Sequence, residues 1–141
     1  MDTSFLGQLN WLAILCGTLA FFMLGALWYS KALFANAWLR FVKIDPNAAS
    51  ATEGMAAIMI GSFVCMFIIS LGLAILKYKL NLIGGWMSGM KLGAFTGFFF
   101  GTMAISISYL YEKRPFGLHL INGGYTIIGS ILSAIIICSW N

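Results

Sequence analysis

The sequence predicts an all-α, polytopic membrane protein: a four-transmembrane-helix bundle with an interfacial amphipathic helix between spans one and two, in a single integral membrane domain over residues 1–141. Three observations carry this expectation. Hydrophobic residues make up 61% of the chain and charged ones 9%, against about 25% charged in a soluble domain. The mean hydropathy is +0.94. Four stretches free of Asp, Glu, Lys and Arg, at 9–29, 55–76, 92–111 and 116–140, each reach the roughly 20 residues that cross a hydrocarbon core. Backbone polar groups in lipid must pair within their own segment, so such stretches are helices. Eight basic and four acidic side chains are too few to cover a soluble fold of this size, which excludes a soluble enzyme, a disordered tail and a disulfide scaffold.

Span one follows Met1-Asp2-Thr3-Ser4-Phe5, which lacks the basic region of a signal peptide; the apolar run behind it is also too long for one, so it is expected to stay as a span. Its Leu, Ile and Phe residues supply roughly −3 to −5 kcal/mol toward insertion, outweighing Asn10 at the edge. Between spans one and two, residues 31–43 place Leu33, Phe34, Ala37, Trp38, Phe41 and Val42 on one side and Lys31, Asn36, Arg40 and Lys43 on the other. That pattern predicts a helix lying in the headgroup plane, broken by Asp45-Pro46. Ser50-Ala51-Thr52-Glu53 has capping-box spacing and is expected to open span two. The connections 77–85 and 112–117 are short, which predicts antiparallel neighbours.

Span three carries the most specific pattern. Gly85, Gly89, Gly93, Gly97 and Gly101 stand four residues apart, a glycine zipper that strips bulk from one ridge and lets another helix approach, within the bundle or between subunits. Since 3.6 residues make a turn, a four-residue repeat is expected to wind around the helix. Another face holds Ser88, Lys91, Thr102, Ser106 and Tyr109, and span four answers with His119, Asn122, Thr126, Ser130 and Ser133. Two polar stripes on consecutive helices either hydrogen-bond one another or line a hydrated path; Lys91, Thr102, Ser106, Tyr109, Glu112, His119, Asn122, Thr126 and Ser130 are the candidate path residues.

Glu112 and His119 have the chemistry of a base and a proton relay, and are equally read as an ion-paired carboxylate and a carbonyl-bonded imidazole. One histidine and no carboxylate inside a span leave no closed metal site, and no nucleophile, base and orienter can be assembled. No catalytic residue, metal or cofactor is therefore assigned. Trp11, Trp28, Tyr29, Trp38 and Trp86 sit near span ends, as an interfacial aromatic belt does. Cys16, Cys65 and Cys138 lie in apolar runs and read as packing residues.

Lys31, Arg40, Lys43, Lys113 and Arg114 fall on one side of the membrane and Lys77, Lys79 and Lys91 on the other. This bias predicts cytoplasmic first and third connections and termini outside. The basic residues flank apolar runs, which suits lipid contact and not nucleic acid.

Several short motifs resemble one family: Asn10-Trp11, Gly25-Ala26-Leu27-Trp28-Tyr29-Ser30 with Leu33-Phe34 and Trp38, Gly84-Gly85-Trp86, Tyr111-Glu112 followed by Arg114-Pro115, and Leu120-Ile121-Asn122-Gly123-Gly124-Tyr125. Together they resemble the domain-of-unknown-function 1761 family of small integral membrane proteins over nearly the whole chain. The resemblance implies a four-span protein of a bacterial inner membrane and brings no activity. Three functions remain in view. The first is permeation or transport of an ion or small solute by a homo-oligomer, since a single four-span bundle is too narrow for a wide lumen. The second is a non-transporting component that binds lipid or a partner membrane protein through the glycine ridge. The third is an intramembrane enzyme at Glu112 and His119.

Overall fold

The computed structural model describes residues 4–140, apart from the side chain of Ala49. Met1, Asp2 and Thr3, on which the reading against a signal peptide partly rests, lie outside the described residues. Helix α1 spans Trp11–Trp28, α2 Ala35–Val42, α3 Met55–Lys79, α4 Gly85–Thr96, α5 Met103–Tyr111 and α6 Phe116–Ser139. A π-helical turn, Gly97–Thr102, joins α4 to α5, so Gly85–Tyr111 is one continuous span. With α1, α3 and α6 it makes four helices long and apolar enough to cross a membrane. The short α2 lies between spans one and two, as the sequence predicts.

Local chemistry sets the boundaries. Asn10, which reads as a polar cost at the edge of span one, is its N-cap: its side-chain oxygen accepts from the Ala13 N–H at 3.0 Å, satisfying a donor that the first turn leaves open. Helix α2 begins four residues later than expected, because Ser30–Phe34 fold into turns in which the Ser30 hydroxyl donates to the Leu27 carbonyl at 2.7 Å. The capping box at 50–53 does not form. Ala49–Thr52 is a 3₁₀ turn, and the N-cap of α3 is Gly54, at φ 72°, a left-handed position that suits a residue without Cβ.

The third span starts at Gly85, seven residues before the expected 92. The charge-free stretch begins only after Lys91, whereas the glycine repeat already carries the helix back to Gly85. In the fold Lys91 is exposed near the helix terminus, where a long side chain reaches the headgroups.

Helix α6 is the hub. It buries ten residues against five on α1, and it packs on α1, α2, α3, α4, the π turn and α5. Small residues make this possible, because helix association in lipid depends on close packing and not on expelling water. The glycine ridge lies against α6 of the same chain. A Cβ at Gly93 would stand 2.5 Å from Ile131 Cα and one at Gly97 2.8 Å from Ile127 Cα, while one at Gly89 would strike the Ala134 carbonyl. Each four-residue step in an α-helix drifts about 40° around the axis. The wider π turn takes up that drift, so Gly101 still faces Thr126 and the Thr102 hydroxyl still reaches α6. Gly85 stands apart from the ridge, at φ 55° with open space around it.

On the opposite flank of α6, the Phe21 ring of α1 lies directly over Gly129. Ile58, Ile60 and Ile68 of α3, and Phe98, Phe99 and Phe100 of the π turn, are exposed. These outward faces suit acyl chains.

Candidate functional site

The polar groups converge at the α2 end of the bundle, where α1 stops and α5 turns into α6. Asn122, one turn and a half into α6, is the centre. Its side-chain oxygen accepts from the Tyr29 hydroxyl at 2.7 Å, and its NH₂ donates to the Tyr109 hydroxyl at 2.6 Å. One amide thus ties the end of α1 to α5 through α6. Tyr29 is held edge-on against Trp38 of α2 and against Tyr125 of α6, with ring centroids 5.9 and 5.3 Å apart. The Trp28 indole N–H donates to the Ile121 carbonyl at 3.0 Å, and its ring lies 4.8 Å from that of Phe34. Helix α2 is fastened to the same knot, since its Phe41 ring covers Gly117 at the start of α6. It therefore packs on the bundle as well as facing outward.

The Tyr29 phenol is held neutral in the knot. Burial pushes the Tyr29 phenol well above the usual tyrosine range, and the neighbouring Tyr125 and Tyr109 add to the shift. A phenol held this way is a hydrogen-bond donor, not a proton relay, near neutral pH.

The candidate path residues separate into three groups. Tyr109, His119 and Asn122 come together at the α5–α6 contact, and Thr102, the last residue of the π turn, reaches the next residue of α6. The Thr102 hydroxyl donates to the Gly123 carbonyl at 3.0 Å, and the buried His119 ring stands edge-on to Tyr109 at 5.3 Å and stacked on Phe116 at 6.0 Å. Thr126 bonds back to the Asn122 carbonyl of its own helix at 2.9 Å, and Ser130 is buried beneath Gly97. Ser106 is half-buried, while Lys91 and Glu112 are exposed. Glu112 pairs with Arg114 at 2.8 Å. Among the described residues no hydrogen bond joins Glu112 to His119, and no group of three His, Cys, Asp or Glu residues is placed to hold a metal.

Of the interfacial aromatics, Trp11 and Trp86 are exposed, whereas Trp28, Tyr29 and Trp38 are half-buried in the knot.

Sequence reasoning missed three contacts. Tyr29 is the donor to Asn122 across 93 residues, a pairing that no local spacing reveals. Ser70 of α3 meets Ser133 of α6, with hydroxyl oxygens 2.8 Å apart. Lys77 caps the far end of α6, donating to the Ile137 and Trp140 carbonyls at 2.8 and 3.1 Å. At that end a cleft of ≈ 610 Å³ opens between the turn before α1, the last turn of α3 and the connection to α4.

The fold and this arrangement define a small four-span integral membrane protein whose polar side chains bind its helices to one another. The chain belongs to the family described as "Protein of unknown function (DUF1761)", which matches residues 12–138. No curated protein matches the chain, and no solved structure does.

Proposed function

We propose that this protein is a non-transporting membrane component, neither a conduit nor an enzyme, that works through its end faces and outer surface. The observation that carries this reading is the Tyr29–Asn122–Tyr109 tie. The groups best suited to line a hydrated path spend their hydrogen-bonding capacity on neighbouring helices. The glycine ridge is occupied by α6, so a partner or lipid meets other surfaces than that ridge. The test is solute and ion flux in proteoliposomes. Flux equal to that of empty vesicles is expected, and a specific flux abolished by Asn122→Leu in a folded protein would overturn the reading.

Permeation of an ion or small solute by a homo-oligomer is the second reading. It is favoured by the π turn at Gly97–Thr102, since such turns are frequent at functional sites and this one carries three exposed phenylalanines in mid-span. Cross-linking in native membranes tests it through assembly: a discrete oligomer sensitive to substitution at Phe99 is expected on this reading, and a monomer removes it.

A further inference from the structure

The cleft at the end opposite the knot is lined by Gln8, Lys77, Tyr78, Lys79, Asn81 and Leu82, among others. Among the described residues, the charged side chains at that end are all basic. The carboxylates Asp45, Glu53 and Glu112 all lie on the connections at the α2 end. Lys77, Lys79 and Lys91 lie at the cleft end, and among the described residues no carboxylate joins them there.

The two lysines of the cleft differ in how they are engaged. Lys77 gives two of its three N–H donors to the last carbonyls of α6, which fixes its ammonium in place and leaves one donor. Lys79 holds its ammonium 4.4 Å from the centre of the Phe5 ring and 5.9 Å from that of Tyr78. Those contacts offer it a π face and no oxygen acceptor. Beside this cationic floor, Ile83 on the α3–α4 connection is 90% exposed. A large apolar side chain presented this way next to lysines, between two membrane-crossing helices, matches the boundary where headgroup meets acyl chain.

We infer that this cleft binds the headgroup of an anionic phospholipid. The Lys79 ammonium and the remaining donor of Lys77 face its phosphate, the amides of Gln8 and Asn81 supply neutral donors, and Ile83 meets the acyl chain. A choline headgroup is disfavoured, because it would bring its own cation into a cleft with two ammonium groups and no carboxylate among the described residues. The inference rests on the reading of this protein as one that works at its end faces, and its test is separate from the flux assay.

The experiment reconstitutes the purified protein into nanodiscs of phosphatidylcholine with and without phosphatidylglycerol, and measures retained lipid by native mass spectrometry. Preferential retention of phosphatidylglycerol is expected. Lys79→Gln should weaken it about fivefold, which corresponds to about 1 kcal/mol per basic side chain at a membrane surface. Gln8→Leu should weaken it less, and Lys91→Gln, outside the cleft, should leave it unchanged. Equal retention of the two lipids overturns the proposal. An equal loss in Lys91→Gln overturns it in favour of diffuse surface charge. Displacement by millimolar inorganic phosphate overturns it in favour of a free-phosphate site. Lipid preference together with specific flux sinks the non-transporting reading and leaves the cleft standing; absence of both sinks the cleft alone.

Discussion

Ser70 and Ser133 share a hydrogen bond of 2.8 Å at a point where both residues are fully buried, joining α3 to α6 in the middle of the bundle. Against this contact stands Gly17 of α1, where an added Cβ would lie 2.7 Å from the Ser133 hydroxyl oxygen. Three of the four spans thus meet at one hydroxyl. Interhelical bonds of this kind contribute about 0.6 kcal/mol in membranes and at most about 1.7.

A double-mutant cycle of Ser70→Ala and Ser133→Ala, followed by unfolding in mixed micelles, should therefore show a coupling near the upper part of that range. Gly17→Ala, which pushes on the same hydroxyl, should destabilise by more than either serine variant. Strict additivity of the two serine variants would show that the bond contributes nothing.

The glycine ridge supports a sharper contrast. Gly93→Ala drives a methyl group into the backbone of Ile131, which a side-chain rotation cannot relieve, and should cost at least about 2 kcal/mol. Gly61→Ala on α3 meets nothing within 4 Å and should leave stability within about 1 kcal/mol of the parent. Comparable unfolding midpoints for the two variants would contradict the packing of α4 on α6.

At the knot, Asn122→Leu removes the acceptor of one phenol and the donor to another, leaving two half-buried hydroxyls unmatched. The expected loss is about 2 kcal/mol, with faster hydrogen exchange at the ends of α1 and α5. Tyr109→Phe leaves only one amide N–H without its partner and should cost less than half as much. Identical losses for the two would mean that Tyr29 gains nothing from Asn122.

The Tyr29 phenol also sets a pH dependence. Its folded value is raised above the ordinary 10.0, so the unfolded chain ionises it first. The stabilisation from keeping it neutral is fully present below about pH 10 and is lost as pH rises from there toward the folded value. Unfolding midpoints should hold between pH 7 and 9 and fall above pH 10, and Tyr29→Phe should flatten that fall. A fall of the same steepness in the variant would show that Tyr29 is not its source.

The spans and the amphipathic segment were legible because composition and apolar length are strong, local signals. The start of the third span was legible only in part, since Lys91 ends the charge-free stretch at 92 while the glycine repeat points to a helix from Gly85. The site was legible as a list and not as a geometry. Asn122, Tyr109 and Thr102 stand out as polar residues in apolar runs, yet whether such residues face water or one another depends on how the helices are rotated. Tyr29 shows this most plainly: an aromatic at a span end reads as a lipid-facing anchor, and only the fold turns it inward. Lys77 was likewise counted for topology while its carbonyl partners lay 60 residues or more away.

The helix that every other span leans on is also the last of the four to be synthesised. Until that last span inserts, the ridge of α4 has no helix from its own chain to fill it. A chain cut short before residue 116 would therefore lose the common partner of its other three spans, not merely one helix of four.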